Sequence, residues 1–110
     1  MQTTEPQFIK KELVRSRNVY KVTFQLPGAV APKARKVTIV GEFNNWDRQA
    51  TPLKKMANGD FVVTLELDAG KEYRFRYLID GNRWENDWHA DKYVKGPYGD
   101  DDSVVCVSPV

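Results

Sequence analysis

The stretch that decides the fold runs from residue 37 to residue 46 and reads VTIVGEFNNW. Its first four residues are apolar or β-branched, which is typical of a buried strand. Gly41 and the two asparagines that follow favour a turn. The stretch therefore predicts a strand that runs into a polar turn carrying Trp46. A large flat ring on a turn is better suited to stacking on a flat ligand face, such as a sugar ring, than to core packing.

A second segment has the same plan. Residues 77–84 read YLIDGNRW, so that an apolar run passes through an Asp-Gly-Asn turn to Trp84. Two tryptophans on neighbouring turns indicate a binding surface rather than a reaction centre. A structural role, in which each tryptophan caps one end of the fold, stays open on this pattern alone.

Apolar residues that alternate with polar ones predict several more strands. Such runs occupy residues 9–14, 20–26, 61–67, 73–79 and 103–107. Short strands separated by Gly, Pro and Asn turns indicate an all-β fold, an immunoglobulin-like β-sandwich of about seven strands. No window shows helical periodicity. The segment from residue 86 to residue 102 is expected to be a long ordered loop, a kind of segment that is often functional.

A chain of 110 residues is expected to form one domain. We predict that residues 1–17 form an N-terminal tail with a candidate edge strand and that residues 18–110 form the sandwich. The net charge of +2 gives no support for a nucleic-acid partner. Basic residues between positions 10 and 36 are expected to be a solvated face, and the alternative is a patch for a polyanion.

The compartment is predicted from the single cysteine and from the absence of long apolar runs. Cys106 has no partner for an intrachain disulfide, which fits a reducing compartment. The first residues of the sequence lack an apolar signal segment, and no run approaches membrane-spanning length. We expect a cytoplasmic monomer that binds neither membrane nor nucleic acid.

Catalytic and metal chemistry find little support in the sequence. His89 is the only histidine, and no serine lies in an activated turn. The acidic run Asp100–Asp102 lacks the ligand spacing of a calcium loop. We therefore expect no catalytic residue, no metal and no cofactor. A glycosidase with Glu85 or Asp87 as its acid remains a remote alternative.

Arg76 is the candidate polar contact on a strand. If Tyr73, Phe75 and Tyr77 face the core, Arg76 points to the opposite face of the sheet. We expect it to lie mid-strand on an exposed surface, where a guanidinium can donate several hydrogen bonds to sugar hydroxyls. The alternative is an ordinary charged residue on a solvated face.

The pattern G-x-F-N-x-W at residues 41–46, followed by F-x-Y-x-x-D-G-x-x-W at residues 75–84, resembles family-48 carbohydrate-binding modules. These modules are also called isoamylase N-terminal or early-set domains. They occur on glycogen branching and debranching enzymes and on the beta subunit of AMP-activated protein kinase. The resemblance covers roughly residues 35–107 and implies an immunoglobulin-like sandwich.

The resemblance also implies non-catalytic binding of α-1,4-glucans such as glycogen, starch or maltooligosaccharides. Two tryptophans would stack on glucose, a basic strand residue would donate hydrogen bonds, and the loop before the last strand would close over the ligand. The corresponding residues are Trp46, Trp84, Arg76, Tyr98, Asp100 and Asp102. Family members often have Lys at the basic position and Thr and Asn in the loop, where this chain has Arg and two aspartates.

Two partners are compatible with this resemblance. One is the α-glucan itself, with a glycogen-metabolising enzyme as a further partner. The other is a protein alone: an early-set module that docks on a glucan-metabolising enzyme or a kinase and binds no sugar. The basic residues between positions 10 and 36 would then be the docking surface.

Overall fold

The computed structural model describes residues 9–97 and 99–109. Its strands follow the apolar runs of the sequence, and two short 3-10 segments interrupt them at Arg15–Arg17 and Glu42–Asn44. Within the described residues there are nine strands: β1 (Lys10–Val14), β2 (Val19–Leu26), β3 (Val37–Gly41), β4 (Lys54–Lys55), β5 (Phe61–Asp68), β6 (Lys71–Ile79), β7 (Arg83–Glu85), β8 (Lys92–Lys95) and β9 (Asp101–Val107). None of the helical segments in this part of the chain has the length and apolar character needed to cross a bilayer.

The strands form two antiparallel sheets that pack as a sandwich. The first sheet has the order β1-β2-β5-β4, and the second has the order β3-β6-β9-β8, with β7 paired to the end of β6. The predicted all-β, immunoglobulin-like sandwich is thus confirmed. The expected count of about seven strands was low because β4, β7 and β8 have only two, three and four residues. Runs this short cannot show an alternating pattern.

The loop expected between residues 86 and 102 is partly a strand. The four residues of β8 lie inside this segment and pair with β9 from Lys92↔Val104 to Lys95↔Asp101. The prediction of one long loop was therefore wrong. The apolar face of β8 contributes a single half-buried residue, Val94, so its sequence carries almost no strand signal.

Aromatic rings fill the space between the two sheets. Phe24 of β2 meets Phe75 of β6 edge-on with ring centroids 5.0 Å apart, and Phe75 meets Tyr77 at 5.8 Å. All three side chains are fully buried. The inward row that the alternation of residues 73–79 predicts is therefore present, and it directs the intervening arginines to the outer face of the second sheet.

The N-terminal part of the described chain contributes to the first sheet. Strand β1 forms its outer edge and pairs with β2 from Lys10↔Thr23 to Val14↔Val19. Ile9, just before β1, is buried in the core. The division of the chain after residue 17 stays a prediction.

Gly41 allows β3 to approach β6 closely at the end of the strand. A Cβ atom built on Gly41 would lie 2.5 Å from the carbonyl oxygen of Arg74 and 2.7 Å from the Cβ of Phe75. These distances are too short for any side chain, and the neighbouring atoms are backbone or core. The pairing of these two strands therefore requires glycine at this position.

We expect Gly41→Ala to lower the free energy of unfolding by about 1–3 kcal/mol, because the added methyl overpacks a site that cannot yield. Urea denaturation measures the change. Gly99→Ala is a suitable control because nothing lies within 4 Å of its built Cβ, although its φ is +92°. Its cost is expected to be about 1 kcal/mol from backbone strain alone. A loss of less than about 1 kcal/mol in Gly41→Ala would contradict the proposed close approach.

Candidate functional site

A groove of about 570 Å³ lies on the outer face of the second sheet. This volume is within the range of about 300–1,000 Å³ that small-molecule sites occupy. Both predicted tryptophans and the predicted polar residues of the described chain line it: Trp46, Arg76, Trp84, Asp100 and Asp102. Residues separated by up to 56 positions in sequence thus meet at one surface. Tyr98 lies outside the described residues.

The turn that carries Trp46 is fixed by the side chain of Asn44. Its amide nitrogen donates to the carbonyl of Ile39 at 2.9 Å and to the hydroxyl of Thr51 at 3.0 Å, and its oxygen accepts from the backbone of Gly41 at 3.0 Å. The backbone nitrogen of Trp46 also donates to Gly41 at 2.8 Å. These bonds replace the strand pairing that ends at Gly41 and hold the turn in one shape.

Two consecutive residues of this turn have left-handed backbone conformations. Asn45 has φ 58° and Trp46 has φ 59°. Asparagine adopts this region readily, but a bulky residue does so rarely, and each such residue costs roughly 1–3 kcal/mol. The Trp46 side chain is nevertheless 41% exposed. The fold tolerates strain to keep a large apolar ring in solvent, a combination that is typical of a binding position.

Trp84 reaches the same groove from a hairpin. It lies in β7 and pairs with Leu78 of β6. The connecting turn has positive φ at Asp80 (51°) and Gly81 (76°), and the nitrogen of Asn82 donates to Ile79 at 3.2 Å. Positive φ at both central residues is the type I′ pattern that Asp-Gly favours. The Asp-Gly turn of the sequence thus orients Trp84.

The carboxylate of Asp80 ties this hairpin to an earlier part of the chain. It accepts hydrogen bonds from the backbone nitrogens of Lys36 and Arg35, both at 2.9 Å. These two bonds lower the pKa of Asp80, because they favour the charged carboxylate. The residues just before β3 are therefore held against the turn that carries Trp84.

Sequence reasoning missed Arg48, which contacts Trp84 directly. Its guanidinium carbon lies 5.4 Å from the centre of the Trp84 ring, in a cation–π arrangement. Arg48 comes from the loop after the Trp46 turn, and it lines the groove. No local pattern marks this residue, since its contact depends on how two distant turns pack.

Arg76 is less exposed than its mid-strand position predicts. Its side chain is only 18% exposed, because the nearly buried carboxylate of Asp102 accepts from Nε at 2.7 Å. Asp102 in turn lies 3.9 Å from the guanidinium of Arg74, and Asp100 lies 3.9 Å from that of Arg76. The expectation that Arg76 lies on an exposed surface was therefore wrong. Arg76 and Asp102 form an oriented ion pair in the groove.

Trp88 does not line the groove. Its side chain is 60% exposed, and its indole nitrogen donates to Glu85 at 3.1 Å. The neighbouring Asp87 is buried. Its carboxylate accepts from the Tyr77 hydroxyl at 2.7 Å and from the backbone of His89 at 2.8 Å. A carboxylate bonded inside the sandwich in this way is badly placed to act as the acid of a glycosidase.

The Asp87 network anchors the segment that follows Trp84. The backbone of Asp87 donates to the Ser103 hydroxyl at 2.9 Å, and that hydroxyl donates to Asn86 at 2.8 Å. Burial raises the pKa of Asp87, although the hydrogen bonds from Tyr77 and His89 oppose the shift. Burial also raises the pKa of Tyr77 well above its ordinary value. The hydrogen bond between Tyr77 and Asp87 thus ties the core to the segment that follows Trp84.

Metal binding has no geometric support in the described residues. Within 9–97 and 99–109, no group of three or more His, Cys, Asp or Glu side chains is placed to hold an ion. Cys106 is half-buried, and burial together with the nearby Glu72 raises the pKa of its thiol. A raised pKa makes the thiolate less available at neutral pH.

The raised pKa of Asp87 predicts a stability effect that depends on pH. A carboxyl group with a higher pKa in the folded protein binds its proton more tightly there. Its contribution to stability is therefore full below its unfolded pKa of about 3.9 and is lost as the pH rises through the folded pKa. We expect the free energy of unfolding of the wild type minus that of Asp87→Asn to fall as the pH rises above about 4. Urea denaturation at a series of pH values tests this, and a constant or rising difference would refute it.

The ion pair predicts a second stability effect. We expect Asp102→Asn to lower the free energy of unfolding by about 1–3 kcal/mol, because Arg76 loses a charge-assisted hydrogen bond in a mostly buried site. Asp100→Asn is the matched control. Its carboxylate is 79% exposed and lies 3.9 Å from Arg76, so a change below about 1 kcal/mol is expected. Equal effects in chemical denaturation would show that burial of the pair does not matter.

Comparison with known proteins gives one family and a consistent set of relatives. A family model described as Carbohydrate-binding module 48 (Isoamylase N-terminal domain) matches residues 13–99. The 1,4-alpha-glucan branching enzyme GlgB of Pseudomonas putida is 41% identical over 51 residues, which cover 44% of this chain and 7% of that enzyme. The same enzyme of Aquifex aeolicus is 38% identical over 55 residues, 47% of this chain and 9% of the enzyme.

A further branching enzyme matches a longer part of the chain. GlgB of Synechocystis sp. is 34% identical over 71 residues, which cover 63% of this chain and 8% of that enzyme. The chain thus spans less than a tenth of the length of each of these relatives.

Proposed function

The chain belongs to the carbohydrate-binding module 48 family, and from this premise we propose that it binds α-1,4-glucans without catalysing a reaction. The proposed ligands are glycogen, starch and maltooligosaccharides. The observation that carries the proposal is the placement of two exposed tryptophans, Trp46 and Trp84, in one groove beside Arg76. Two flat apolar rings beside a hydrogen-bond donor suit a sugar ligand, because a sugar ring has apolar faces and polar edges.

The charge of the groove supports a neutral ligand. Three guanidinium groups and three carboxylates line it: Arg48, Arg74 and Arg76 against Glu42, Asp100 and Asp102. Their formal charges cancel. A nucleic acid or another polyanion would meet the carboxylates, which repel it. A neutral polyhydroxyl ligand meets both donors and acceptors without such a cost.

Each polar residue has a proposed role that follows from its contacts. Asp102 uses its carboxylate on Nε of Arg76, so it positions the guanidinium and leaves the terminal nitrogens of that group as donors to sugar hydroxyls. Asp100 has an exposed carboxylate and can accept from hydroxyl groups. Tyr98 is proposed to close over the ligand from the same loop.

The names of the relatives support the ligand class. They are 1,4-alpha-glucan branching enzymes, and the matched region is a small part of each. We propose that the module acts on no substrate itself and directs its own chain, or a partner that metabolises glycogen, to the glucan. An open groove with polar edges binds weakly, and we expect a dissociation constant of roughly 10 µM to 1 mM.

We expect Trp46→Ala and Trp84→Ala each to weaken maltoheptaose binding by about fivefold and by no more than about 150-fold. Stacking on nucleic-acid bases contributes roughly 1–3 kcal/mol per base, and a similar or smaller value is expected for sugars. The measurement is an NMR titration that follows the three indole N–H signals. Two of them should shift and saturate. Trp88→Ala is the matched control, because its ring is exposed but lies outside the groove.

Three results would count against this proposal. Absence of any indole shift at millimolar maltoheptaose would rule out glucan binding and favour the protein-docking alternative. Wild-type affinity in both groove variants would show that sugar binds elsewhere. Turnover of maltooligosaccharides by the purified chain would show that the protein is an enzyme.

A further inference from the structure

A second, smaller groove lies beside the first on the same face of the sheet. It has a volume of about 240 Å³ and is lined by Lys36, Thr38, Arg48, Gln49, Leu78 and Gly81. Arg48 lines both grooves. The two grooves therefore adjoin at Arg48, whose guanidinium lies over the Trp84 ring.

The strand register gives the distance between the grooves. The pair Thr38↔Leu78 borders the second groove, and the pair Val40↔Arg76 borders the first. These pairs are two residues apart along the same strands, so they point to the same face about 7 Å from one another. A linear ligand that lies along the strands in the first groove would enter the second.

Two polar side chains of the second groove are free to bind a ligand. Both residues are exposed, and within residues 9–97 and 99–109 neither the ammonium of Lys36 nor the side-chain amide of Gln49 has a hydrogen-bond or ion-pair partner. Lys36 is nevertheless held in place, because Asp80 accepts from its backbone nitrogen at 2.9 Å. An ammonium donates, and an amide both donates and accepts, which suits sugar hydroxyls.

The shape of the second groove favours an extension over an independent site. Its volume is below the range of about 300–1,000 Å³ of stand-alone ligand sites. Gly81 forms part of its wall, and nothing lies within 4 Å of a Cβ atom built on this glycine. The groove is therefore small, and it stays open at the side of the hairpin turn.

We propose that the second groove is an additional subsite, which receives the glucose units of an α-glucan that continues past Trp84. Lys36 and Gln49 donate hydrogen bonds to hydroxyls of these units, and Arg48 separates the two parts of the ligand. The subsite rests on the proposed glucan binding in the first groove. It makes affinity depend on chain length, because only a longer glucan reaches both grooves.

The test compares maltotriose and maltoheptaose by isothermal titration calorimetry on the wild type and on the double variant Lys36→Ala/Gln49→Ala. Loss of one or two hydrogen bonds should reduce the preference for maltoheptaose over maltotriose by about three- to tenfold. Lys54→Ala is the control, because this exposed lysine lies in β4 of the other sheet. In a parallel NMR titration, the Gln49 side-chain amide should shift with maltoheptaose and stay in place with maltotriose.

The outcomes separate the subsite from the function on which it rests. If the wild type binds both sugars and the double variant keeps the same preference, the subsite is wrong and glucan binding stands. If the wild type binds neither sugar, glucan binding fails and the subsite fails with it. Equal shifts of the Gln49 side-chain amide with both sugars would show that short glucans fill the second groove and would overturn the proposed order of occupation.

Discussion

The pairing of β3 with β6 is the interaction on which the rest of the structure depends. It runs from Val37↔Ile79 to Gly41↔Phe75. One face of this pair presents Phe75 and Tyr77 to the core, and the other presents Val40 and Arg76 to the groove. The close contact at Gly41 fixes the register. Because side chains alternate along a strand, a shift of one residue would exchange core and groove.

The turns that carry the two tryptophans are held by hydrogen bonds from polar side chains, just beyond the ends of these paired strands. Asn44, just after β3, bonds to the backbone of Ile39 and Gly41 and to the Thr51 hydroxyl. Asp80, just after β6, accepts from the backbone nitrogens of Arg35 and Lys36. In each turn a short polar side chain satisfies backbone groups that strand pairing leaves unbonded. Left-handed residues complete the turns, at Asn45 and Trp46 in the first and at Asp80 and Gly81 in the second. The two tryptophan rings are therefore held by hydrogen-bonded turns, which would lower the entropy cost of binding for the proposed ligand.

Two positions at which the chain departs from its family, Arg76 and Asp102, form an ion pair with each other. The family often has Lys where this chain has Arg76 and Asn where it has Asp102. Here the two side chains bond at 2.7 Å, with the carboxylate almost fully buried. Arginine presents a planar fork that a carboxylate can orient, whereas lysine presents a single rotating ammonium. The two departures are thus consistent with one another and preserve a donor in the groove.

The local sequence pattern was sufficient to predict the class of fold and the turns that carry Trp46 and Trp84. Alternation in residues 20–26, 61–67 and 73–79 determines which faces are buried, and the Gly, Asn and Asp-Gly signals locate the turns, because both effects act over a few residues. Only the tertiary structure decided what depends on contacts between distant segments. These contacts are the cover of Arg76 by Asp102, the stacking of Arg48 on Trp84 and the pairing of β8 with β9. Each contact joins residues that are far apart in sequence, and the residues next to them show no pattern that predicts the partner. The geometry of these contacts therefore arises only when the two sheets and their turns pack.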